Sequence, residues 1–437
     1  MNVEEAGTVR ASAGVSGDGP ERVVVVGGGY AGLFAARRAS GGIRRGRVEV
    51  TLVDPAPEWV ERTRLHQVAA GNGSVRRWPL AELFRGTGVG VVGGRVTEID
   101  PQGGEVAVET DTGTTVRLPF DRLVYALGST ADTSPVPGAR DHTFVLDSTS
   151  TAEDLRRALD AAATSSSPPG GRVAVVGGGL TGVEAATEIA ETHPGLSMML
   201  VTAGEIGGGL SARGREYLLK AMGRLGVGLR ERTKVEEVDR GALKTTNGEE
   251  VPADVVVWAT GFAVPDLARR SGLATDGRGR VLADAALRSV SHPNVFAAGD
   301  SVRPTEPVGA GEVRPSAYTS TIMGAQAGGN VARELGGKLT KPLRFGYLLQ
   351  AVSLGRKDGL VQFTDGNDGP FGWVVTGRTA ARIKESVERF VVVGLLRLER
   401  LVPGAYAWRP APRARGGSAG SPKIQTDVYS RIARRQI

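Results

Sequence analysis

The sequence predicts an α/β fold in which one type of unit occurs twice. Residues 22–32 (RVVVVGGGYAG) and 172–182 (RVAVVGGGLTG) share a β-branched run, a glycine triplet and small or apolar helix formers. This order is typical of a strand, a tight turn and a helix. With 437 residues, 40% of them hydrophobic, the chain is long enough for two or three domains with sizeable cores.

The glycine spacing in both copies matches a turn that binds a dinucleotide. Glycines let the backbone approach a pyrophosphate, whose charge is stabilised by amide groups at the start of the following helix. One such spacing also occurs where a helix only packs closely on a strand, but two copies in the same context predict two Rossmann-like domains and two bound dinucleotides. The predicted phosphate-binding glycines are Gly27, Gly29, Gly32, Gly177, Gly179 and Gly182.

Composition excludes several kinds of site. The chain has no cysteine, which excludes disulfides, thiolate metal sites, iron–sulfur ligation and redox-active thiol pairs. None of the four histidines has metal-ligand spacing to another, so we assign no metal. The net charge of +7 has no nucleic-acid motif beside it, so we expect no nucleic-acid partner. The cations near the C-terminus are Arg409, Arg413, Arg415, Lys423, Arg431, Arg434 and Arg435.

Changes in composition divide the chain into segments. Residues 1–20 lack periodicity and the apolar core of a secretory signal, and no run approaches the roughly 20 apolar residues that span a bilayer. We therefore expect a flexible arm at 1–20 and a cytoplasmic protein. The remaining expected segments are a first dinucleotide domain at 21–150 and 265–345, a second at 168–264, a C-terminal α/β or helical domain at 346–410 and a flexible basic tail at 411–437.

In the first unit, Asp54 is the candidate ligand of an adenosine ribose. It ends the second apolar run, 22 residues after Gly32, close to the spacing of roughly 20 residues expected for a ribose-binding carboxylate. The alternative is a turn residue that precedes Pro55. A later apolar strand that ends at Gly128 closes this unit.

The second unit differs from the first at the corresponding position. Its second strand ends in Thr202, which would not repel a phosphate on the ribose as a carboxylate would. Arg213 is close enough in sequence to bind such a phosphate. The choice between NADH and NADPH therefore stays open, and an apolar strand that ends at Gly261 closes the unit.

Residues 21–410 resemble the two-dinucleotide-binding flavoprotein reductases of the pyridine nucleotide-disulfide oxidoreductase superfamily. They look most like the type II NADH dehydrogenases and the relatives of apoptosis-inducing factor. A third motif, NVFAAGDS at 294–301, is similar to a late strand of that family. The resemblance implies FAD in the first domain and NAD(P)H in the second, with Asp300 near the ribityl chain and pyrophosphate of the flavin.

Two further positions take their roles from this resemblance. Glu184 matches a glutamate that the group places near the flavin and nicotinamide; the alternative is an ordinary polar helix residue. Residues 64–71 (RLHQVAAG) also fit the group. Quinone-reducing members carry an Ala-Gln pair before the helix that ends the FAD domain, and Tyr318 takes the glutamine position here. Because a phenol can hydrogen-bond a carbonyl or stack on a ring, we treat Glu184 and Tyr318 as the candidate catalytic residues.

Residues 380–402 predict an amphipathic helix with basic polar positions. Such a helix can lie on a membrane surface, cover the protein's own core or form a homodimer interface, and the sequence leaves these readings open. The apolar positions are Ile383, Val387, Phe390, Val391, Leu395, Leu398 and Leu401.

The expected function is that of an FAD-dependent NAD(P)H oxidoreductase. The resemblance implies hydride transfer from NAD(P)H to FAD and then electron transfer to a quinone or quinone-like acceptor, with the protein peripheral on the inner face of the cell membrane. The flavin supplies the chemistry, so no protein nucleophile is required. Two alternatives remain: a soluble flavoprotein that acts on a dedicated small metabolite, and a slow-turnover flavoprotein that senses NAD(P)H.

Overall fold

The computed structural model describes residues 19–41, 47–74, 76–164, 170–306, 308, 312–389, 393–402, 404–406 and 408. Residues 1–18 of the predicted arm, the predicted tail at 411–437 and the cations from Arg409 onward lie outside the described residues. The strands are β1 (Glu21–Val26), β2 (Val48–Asp54), β3 (Glu58–Val60), β4 (Arg77–Pro79), β5 (Val89–Gly93), β6 (Arg95–Asp100), β7 (Glu105–Glu109), β8 (Thr115–Pro119), β9 (Arg122–Tyr125), β10 (Phe144–Val145), β11 (Arg172–Val176), β12 (Ser197–Val201), β13 (Gly228–Arg230), β14 (Val235–Asp239), β15 (Ala242–Thr245), β16 (Glu250–Pro252), β17 (Val255–Trp258), β18 (Val281–Ala283), β19 (Val295–Ala297), β20 (Val302–Pro304), β21 (Leu349–Ser353), β22 (Gly359–Thr364) and β23 (Pro370–Thr376).

The helices cover both nucleotide units and the C-terminal segment. A short 3₁₀ turn at Arg62–Arg64 precedes the second of them. The helices are α1 (Tyr30–Gly41), α2 (Leu65–Ala69), α3 (Leu80–Leu83), α4 (Ala139–His142), α5 (Thr149–Ala163), α6 (Leu180–Thr192), α7 (Ala212–Arg224), α8 (Leu267–Arg270), α9 (Ala317–Leu335), α10 (Gly377–Arg389) and α11 (Leu395–Leu401).

Two five-stranded parallel sheets form the centre of the fold. The first has the order β19-β9-β1-β2-β5 and the second the order β10-β17-β11-β12-β13. In β1 and β11 the valine-rich runs are buried, as expected for parallel strands that are covered on both faces. The α/β fold class with two Rossmann-like units, predicted from the repeated motif, is confirmed.

Each sheet takes strands from separate stretches of the chain. β19, which belongs to the predicted segment 265–345, forms an edge of the first sheet beside β9. The strand β10 pairs with β17 in the second sheet, although residues 144–145 fall in the predicted first segment, 21–150. Two parallel pairs, Phe144 with Val257 and Val145 with Trp258, hold this short strand there, so the second sheet takes a strand from before residue 168.

The helices α1 and α9 approach each other closely on the first sheet. A Cβ atom at Gly324 or Gly328 of α9 would overlap the carbonyl oxygen of Ala31 or Ala35 of α1. The neighbouring Gly329 faces away, since a Cβ there would meet only the Arg38 guanidinium at 3.9 Å. Glycine at 324 and 328 therefore sets the distance between the two helices.

The C-terminal segment is built on a small antiparallel sheet of β21, β22 and β23. The predicted helix over 380–402 is divided: α10 packs on this sheet, whereas α11 packs on α1. The predicted apolar positions Phe390 and Val391 lie outside the described residues. Within the described ranges, no helix combines the length and hydrophobicity that crossing a bilayer requires.

The close contact of α1 and α9 predicts a difference between two neighbouring glycines. Gly328→Ala forces a methyl group against the Ala35 carbonyl and is expected to lower the free energy of unfolding by about 1–3 kcal/mol. Gly329→Ala, the matched control, is expected to be neutral or to stabilise by up to about 1 kcal/mol, because alanine favours a helix over glycine. Denaturant unfolding of both variants measures the difference, and equal destabilisation would contradict the packing argument.

Candidate functional site

The first glycine loop has the geometry of a phosphate cradle. Gly27 adopts φ +102°, and a Cβ atom there would lie 2.5 Å from the carbonyl oxygen of Ala126. A Cβ at Gly32 would overlap the Gly27 carbonyl, so only glycine lets α1 start this close to the end of β1. The space beside Gly29 is free of protein atoms to 4 Å, where the first amide groups of α1 lack intrahelical partners. This loop fits a pyrophosphate.

The second loop repeats this geometry. Gly177 adopts φ +126°, and a Cβ there would overlap the carbonyl of Ala259. A Cβ at Gly182 would likewise overlap the Gly177 carbonyl, while the space beside Gly179 is open. The two loops are therefore equivalent in backbone as well as in sequence.

Asp54 extends from the end of β2 towards the first loop. Its Oδ2 accepts a hydrogen bond from the Gly28 amide at 2.6 Å, and its Oδ1 accepts one from the Ala56 amide at 2.8 Å. The first bond fits the predicted ribose-binding position, and the second fits the alternative turn role. Burial raises the pKa of Asp54 despite these two bonds. Its contact with ribose stays a prediction.

Thr202 occupies the equivalent place in the second unit. Val176 pairs with Val201 as Val26 pairs with Val53, so Thr202 follows its strand in the same register as Asp54. A Cβ on Gly178 would lie 2.9 Å from the Thr202 hydroxyl.

The predicted partner Arg213 is exposed near the start of α7. Arg232 was not predicted from the sequence. Its backbone amide donates to Gly204 O at 3.0 Å, which holds it next to the turn that follows Thr202. Its guanidinium pairs with Glu205 at 2.6 Å. It follows the third strand of the unit, β13, so no spacing rule for the second strand could have indicated it.

Asp300 joins three parts of the first unit. Its carboxylate accepts hydrogen bonds from Ser129 Oγ at 2.9 Å and from Ser320 Oγ at 3.2 Å. Burial raises its pKa against these bonds. Ser129 follows Gly128, and Ser320 lies in the first turns of α9, so the predicted residues Gly128 and Asp300 come together at the carboxyl edge of the first sheet. Crevices at this edge are the usual ligand sites of such sheets.

The two nucleotide units meet near Gly261. The backbones of Thr130 and Ala263 exchange two hydrogen bonds of 2.9 and 3.0 Å. A Cβ atom at Gly261 would lie 3.0 Å from the Cβ of Asp132, and the Trp258 indole donates to the Asp132 carbonyl at 2.9 Å. The loops that follow β9 and β17 are therefore in direct contact.

Glu184 lies buried on α6 and is held by the C-terminal segment. Its Oε1 accepts hydrogen bonds from the Ser353 amide and hydroxyl, both at 3.0 Å, and forms an ion pair with Lys384 at 2.6 Å. Burial acts to raise the pKa of Glu184, but the Lys384 charge, His66 and the Ser353 amide together outweigh it and hold that pKa below its ordinary range. Lys384 and Ser353 were missed because they lie far along the chain from Glu184.

A larger network of buried charges surrounds this pair. Arg64 contacts Glu61 at 2.9 Å, Glu385 at 2.8 Å and Glu388 at 3.4 Å, and Lys384 contacts Glu388 at 3.2 Å. The network therefore joins the segment around α2 to α10, next to α6.

His66 lies within the same network, from the 64–71 motif. Its imidazole is buried, and Nε2 has no hydrogen-bond partner among the described residues. Burial lowers the pKa of His66 to about 4, although Glu184 acts against it; Lys384, Arg356 and Arg64 act to lower it further. The imidazole is therefore neutral at neutral pH.

Among the described residues, Tyr318 shares no hydrogen bond or ion pair with this network. It is the second residue of α9, half-buried, and its hydroxyl donates to Gly346 O across a long 3.5 Å. Burial raises the pKa of this phenol. The hydrogen-bond partners of Glu184 and of Tyr318 are different residues, so the structure gives the two candidates separate surroundings.

Comparison with known proteins identifies relatives of this chain in sequence and in fold. The family model described as pyridine nucleotide-disulphide oxidoreductase matches residues 21–328. An NADH dehydrogenase-like protein of Mycobacterium tuberculosis is 30% identical over 360 residues, covering 76% of this chain and 86% of the relative. A type II NADH:quinone oxidoreductase of Staphylococcus aureus is 28% identical over 394 residues, covering 84% and 94%.

Solved structures share the fold at low sequence identity. The sulfide:quinone oxidoreductase of Aquifex aeolicus superposes with a TM-score of 0.73 at 17% identity, covering 93% of this chain and 100% of that one. The NDH2 of Plasmodium falciparum in complex with NADH also gives 0.73, at 13% identity, with 88% and 99% covered. These likenesses establish the arrangement of the two units.

The position of Thr202 predicts an effect on coenzyme choice. In Thr202→Glu, a carboxylate beside the Gly178 loop would repel a ribose phosphate, and we expect the kcat/KM ratio of NADH to NADPH to rise about tenfold or more. Thr202→Gln has a similar shape without the charge and should leave the ratio nearly unchanged. Steady-state kinetics with both coenzymes test this, and an equal shift in both variants would show that charge at this position does not matter.

The buried His66 predicts a pH dependence of stability. Between its ordinary pKa of 6.5 and the folded value of about 4, the unfolded chain binds a proton that the folded protein does not. The free energy of unfolding therefore falls as the pH is lowered from 6.5 towards 4. Because burial raises the pKa of Glu188 to about 7, that group acts with the opposite sign in the same window, so a variant is needed to isolate His66.

We expect acidification from pH 7 to pH 5 to destabilise the wild type by about 2 kcal/mol more than His66→Gln. Glutamine does not titrate, and the Glu188 contribution is common to both proteins. Denaturant unfolding at the two pH values measures the difference. Equal losses would show that His66 is not held neutral in the folded protein.

Proposed function

The chain belongs to the pyridine nucleotide-disulphide oxidoreductase family, and from this we propose that it is an FAD-dependent NAD(P)H oxidoreductase that passes electrons to a quinone or quinone-like acceptor. The observation that carries the proposal is the pair of equivalent phosphate cradles, one at the edge of each parallel sheet, with the two units in contact near Gly261. The quinone is supported by relatives named as NADH:quinone oxidoreductases at 28% identity.

The residues of the first unit fit FAD. The Gly27–Gly32 turn would hold the pyrophosphate, Asp54 the adenosine ribose, and Asp300 the ribityl region, where its half-buried carboxylate already accepts two hydroxyl hydrogen bonds. When bound, FAD supplies the redox chemistry: acceptance of a hydride and later release of two electrons. The Gly177–Gly182 turn would hold the NAD(P)H pyrophosphate in the second unit.

In this reaction Glu184 would exchange a proton with the acceptor, and Lys384 would stabilise the ionised form of Glu184. Reduction of a quinone consumes protons as well as electrons, and an ionised carboxylate can take up a proton from solvent and pass it on to the acceptor. Oε1 of Glu184 is already occupied by Ser353 and Lys384, so Oε2 is the atom that would exchange a proton. The Lys384 ammonium keeps Glu184 ionised between turnovers. The neutral imidazole of His66 is a second group close to this pair.

Tyr318 favours a second candidate function. A phenol at the position where quinone-reducing relatives carry glutamine offers a different hydrogen-bonding group to the acceptor. A soluble flavoprotein that acts on a dedicated small metabolite would accommodate this change. In both candidates, Tyr318 would orient the acceptor by its hydroxyl or ring.

Anaerobic stopped-flow spectroscopy tests the proposal. The purified protein is mixed with NADH or NADPH, and then with a soluble quinone. We expect rapid bleaching of the flavin absorbance and rapid recovery with the quinone. A colourless protein that cannot be loaded with FAD would overturn the flavin assignment, whereas bleaching without recovery would favour a metabolite acceptor or a sensing role.

The same experiment tests Glu184. We expect Glu184→Gln to slow the quinone half-reaction by about a hundredfold while NAD(P)H still binds, because the carboxylate that would relay the proton is lost. Glu388→Gln is the matched control, since it removes the other carboxylate beside Lys384 without touching α6. If both variants slow the half-reaction equally, or if the wild-type pH profile persists in Glu184→Gln, the role of Glu184 is structural.

A further inference from the structure

A cavity of about 600 Å³ lies at the far end of α1 from the phosphate loop. It is open to solvent on one side and is lined by the last turns of α1 and α9, the segment that follows α9, and Glu399, Gly404, Tyr406 and Trp408. Because α1 has 12 residues, its two ends are about 18 Å apart. The cavity is thus separate from the proposed cofactor sites.

The lining of this cavity is strongly cationic. Within the part of the chain that the structure describes, its one acidic lining residue is Glu399, which is buried and accepts two hydrogen bonds, of 2.8 and 2.7 Å, from the Arg38 guanidinium. Among the described residues, the other lining cations have no carboxylate within ion-pair distance. These cations are Arg37, Arg333, Lys338, Lys341 and Arg344.

Arg37 is the most buried of these cations, with 7% of its surface exposed. Its Nη2 donates to the Glu399 carbonyl at 2.6 Å and its Nη1 to Ser40 Oγ at 3.3 Å, but Nε has no partner among the described residues. Burial lowers its pKa. The carboxylate that acts on Arg37, that of Glu399, is already bonded to Arg38. A buried guanidinium that shares its counter-charge in this way is costly, and an anionic oxygen in the cavity would offset that cost.

Two simpler explanations do not account for this charge. The carbonyl ends of helices attract cations, which explains Arg38 and Arg333, but Lys338, Lys341 and Arg344 lie beyond the end of α9. The following segment of the chain, 409–437, is not complementary either, because it carries seven cations and only one acidic residue, Asp427. The cavity therefore calls for an anion from outside the chain.

Exposed apolar side chains accompany the cations. Leu339, whose carbonyl accepts a hydrogen bond from Arg333 Nε at 2.7 Å, is 88% exposed. Leu401 and Val402, which follow Glu399, are 79% and 55% exposed. The rings of Tyr406 and Trp408 also line the cavity. Cations for a phosphate, leucines for acyl chains and Tyr or Trp between them are the composition of a membrane-contacting surface.

We propose that this cavity binds the phosphate group of an anionic phospholipid at a membrane surface. The headgroup lies among Arg37, Arg333, Lys341 and Arg344, and Leu339 and Leu401 contact the acyl region. The proposal does not depend on the identity of the electron acceptor, because the cavity and the cofactor loops lie at opposite ends of α1.

Vesicle cosedimentation of the full-length flavoprotein tests the proposal. Vesicles of phosphatidylcholine alone are compared with vesicles that also contain phosphatidylglycerol. The test variant is Lys341→Glu/Arg344→Glu, and the matched control is Lys234→Glu/Arg240→Glu, which changes the net charge equally at exposed positions of the second unit. We expect the test variant to lose about tenfold or more in affinity for the anionic vesicles and the control to lose little.

Three outcomes would overturn the proposal. Equal losses in both variants would show that net charge, and not the cavity, governs binding. Equal binding of the wild type to both kinds of vesicle would show that the protein does not recognise the anionic headgroup. Release from the anionic vesicles by millimolar-range glycerol 3-phosphate, with the same soluble anion binding in the absence of vesicles, would identify a free phosphate compound as the ligand. Flavin reduction by NAD(P)H in both variants shows separately that the redox site is intact.

Discussion

The placement of the nucleotide loops depends on a contact that only glycine permits. In the first unit Gly32 lies against the carbonyl of Gly27, and in the second unit Gly182 lies against the carbonyl of Gly177. Each helix therefore begins directly after the end of its strand. In the first unit the constraint extends further, because Gly324 and Gly328 bring α9 equally close to α1. Ser320 of that helix then reaches Asp300. A series of short contacts thus links the phosphate loop to Asp300, which is predicted to lie near the ribityl chain of the flavin.

The second organising feature is electrostatic. A charge buried without a partner costs several kcal/mol, so the carboxylates around α6 and α10 require their cations. Lys384 from α10 meets Glu184 from α6, and Arg64 from the first unit meets Glu385 and Glu388 of α10. The C-terminal segment is therefore joined to both nucleotide units by charge, and the polar side of its amphipathic helix faces the protein here. This accounts for a helix that looks suited to a membrane yet turns Lys384, Glu385 and Glu388 towards the protein.

The fold could be predicted further than the site. The repeated strand, glycine turn and helix are local patterns, and local patterns define both Rossmann-like units and the positions of Asp54 and Thr202. Glu184 was found by family resemblance, but its partner Lys384 follows 200 residues later on another element. The short strand β10 was missed because two residues carry too little periodicity. Pairings between distant segments depend on tertiary packing, which no spacing in the chain records.

The two glutamates of α6 show how the same fold gives one residue type two protonation behaviours. Glu184 and Glu188 lie one helical turn apart and are both buried. Glu184 has an ammonium at 2.6 Å, and its pKa stays below the ordinary range. The partners of Glu188 among the described residues are the Asn72 amide at 2.9 Å and a more distant Arg356 at 3.7 Å, and burial raises its pKa to about 7. Carboxyl groups with separated pKa values are what acid and base roles at neutral pH require, and here one lysine, contributed by the C-terminal helix, makes the difference.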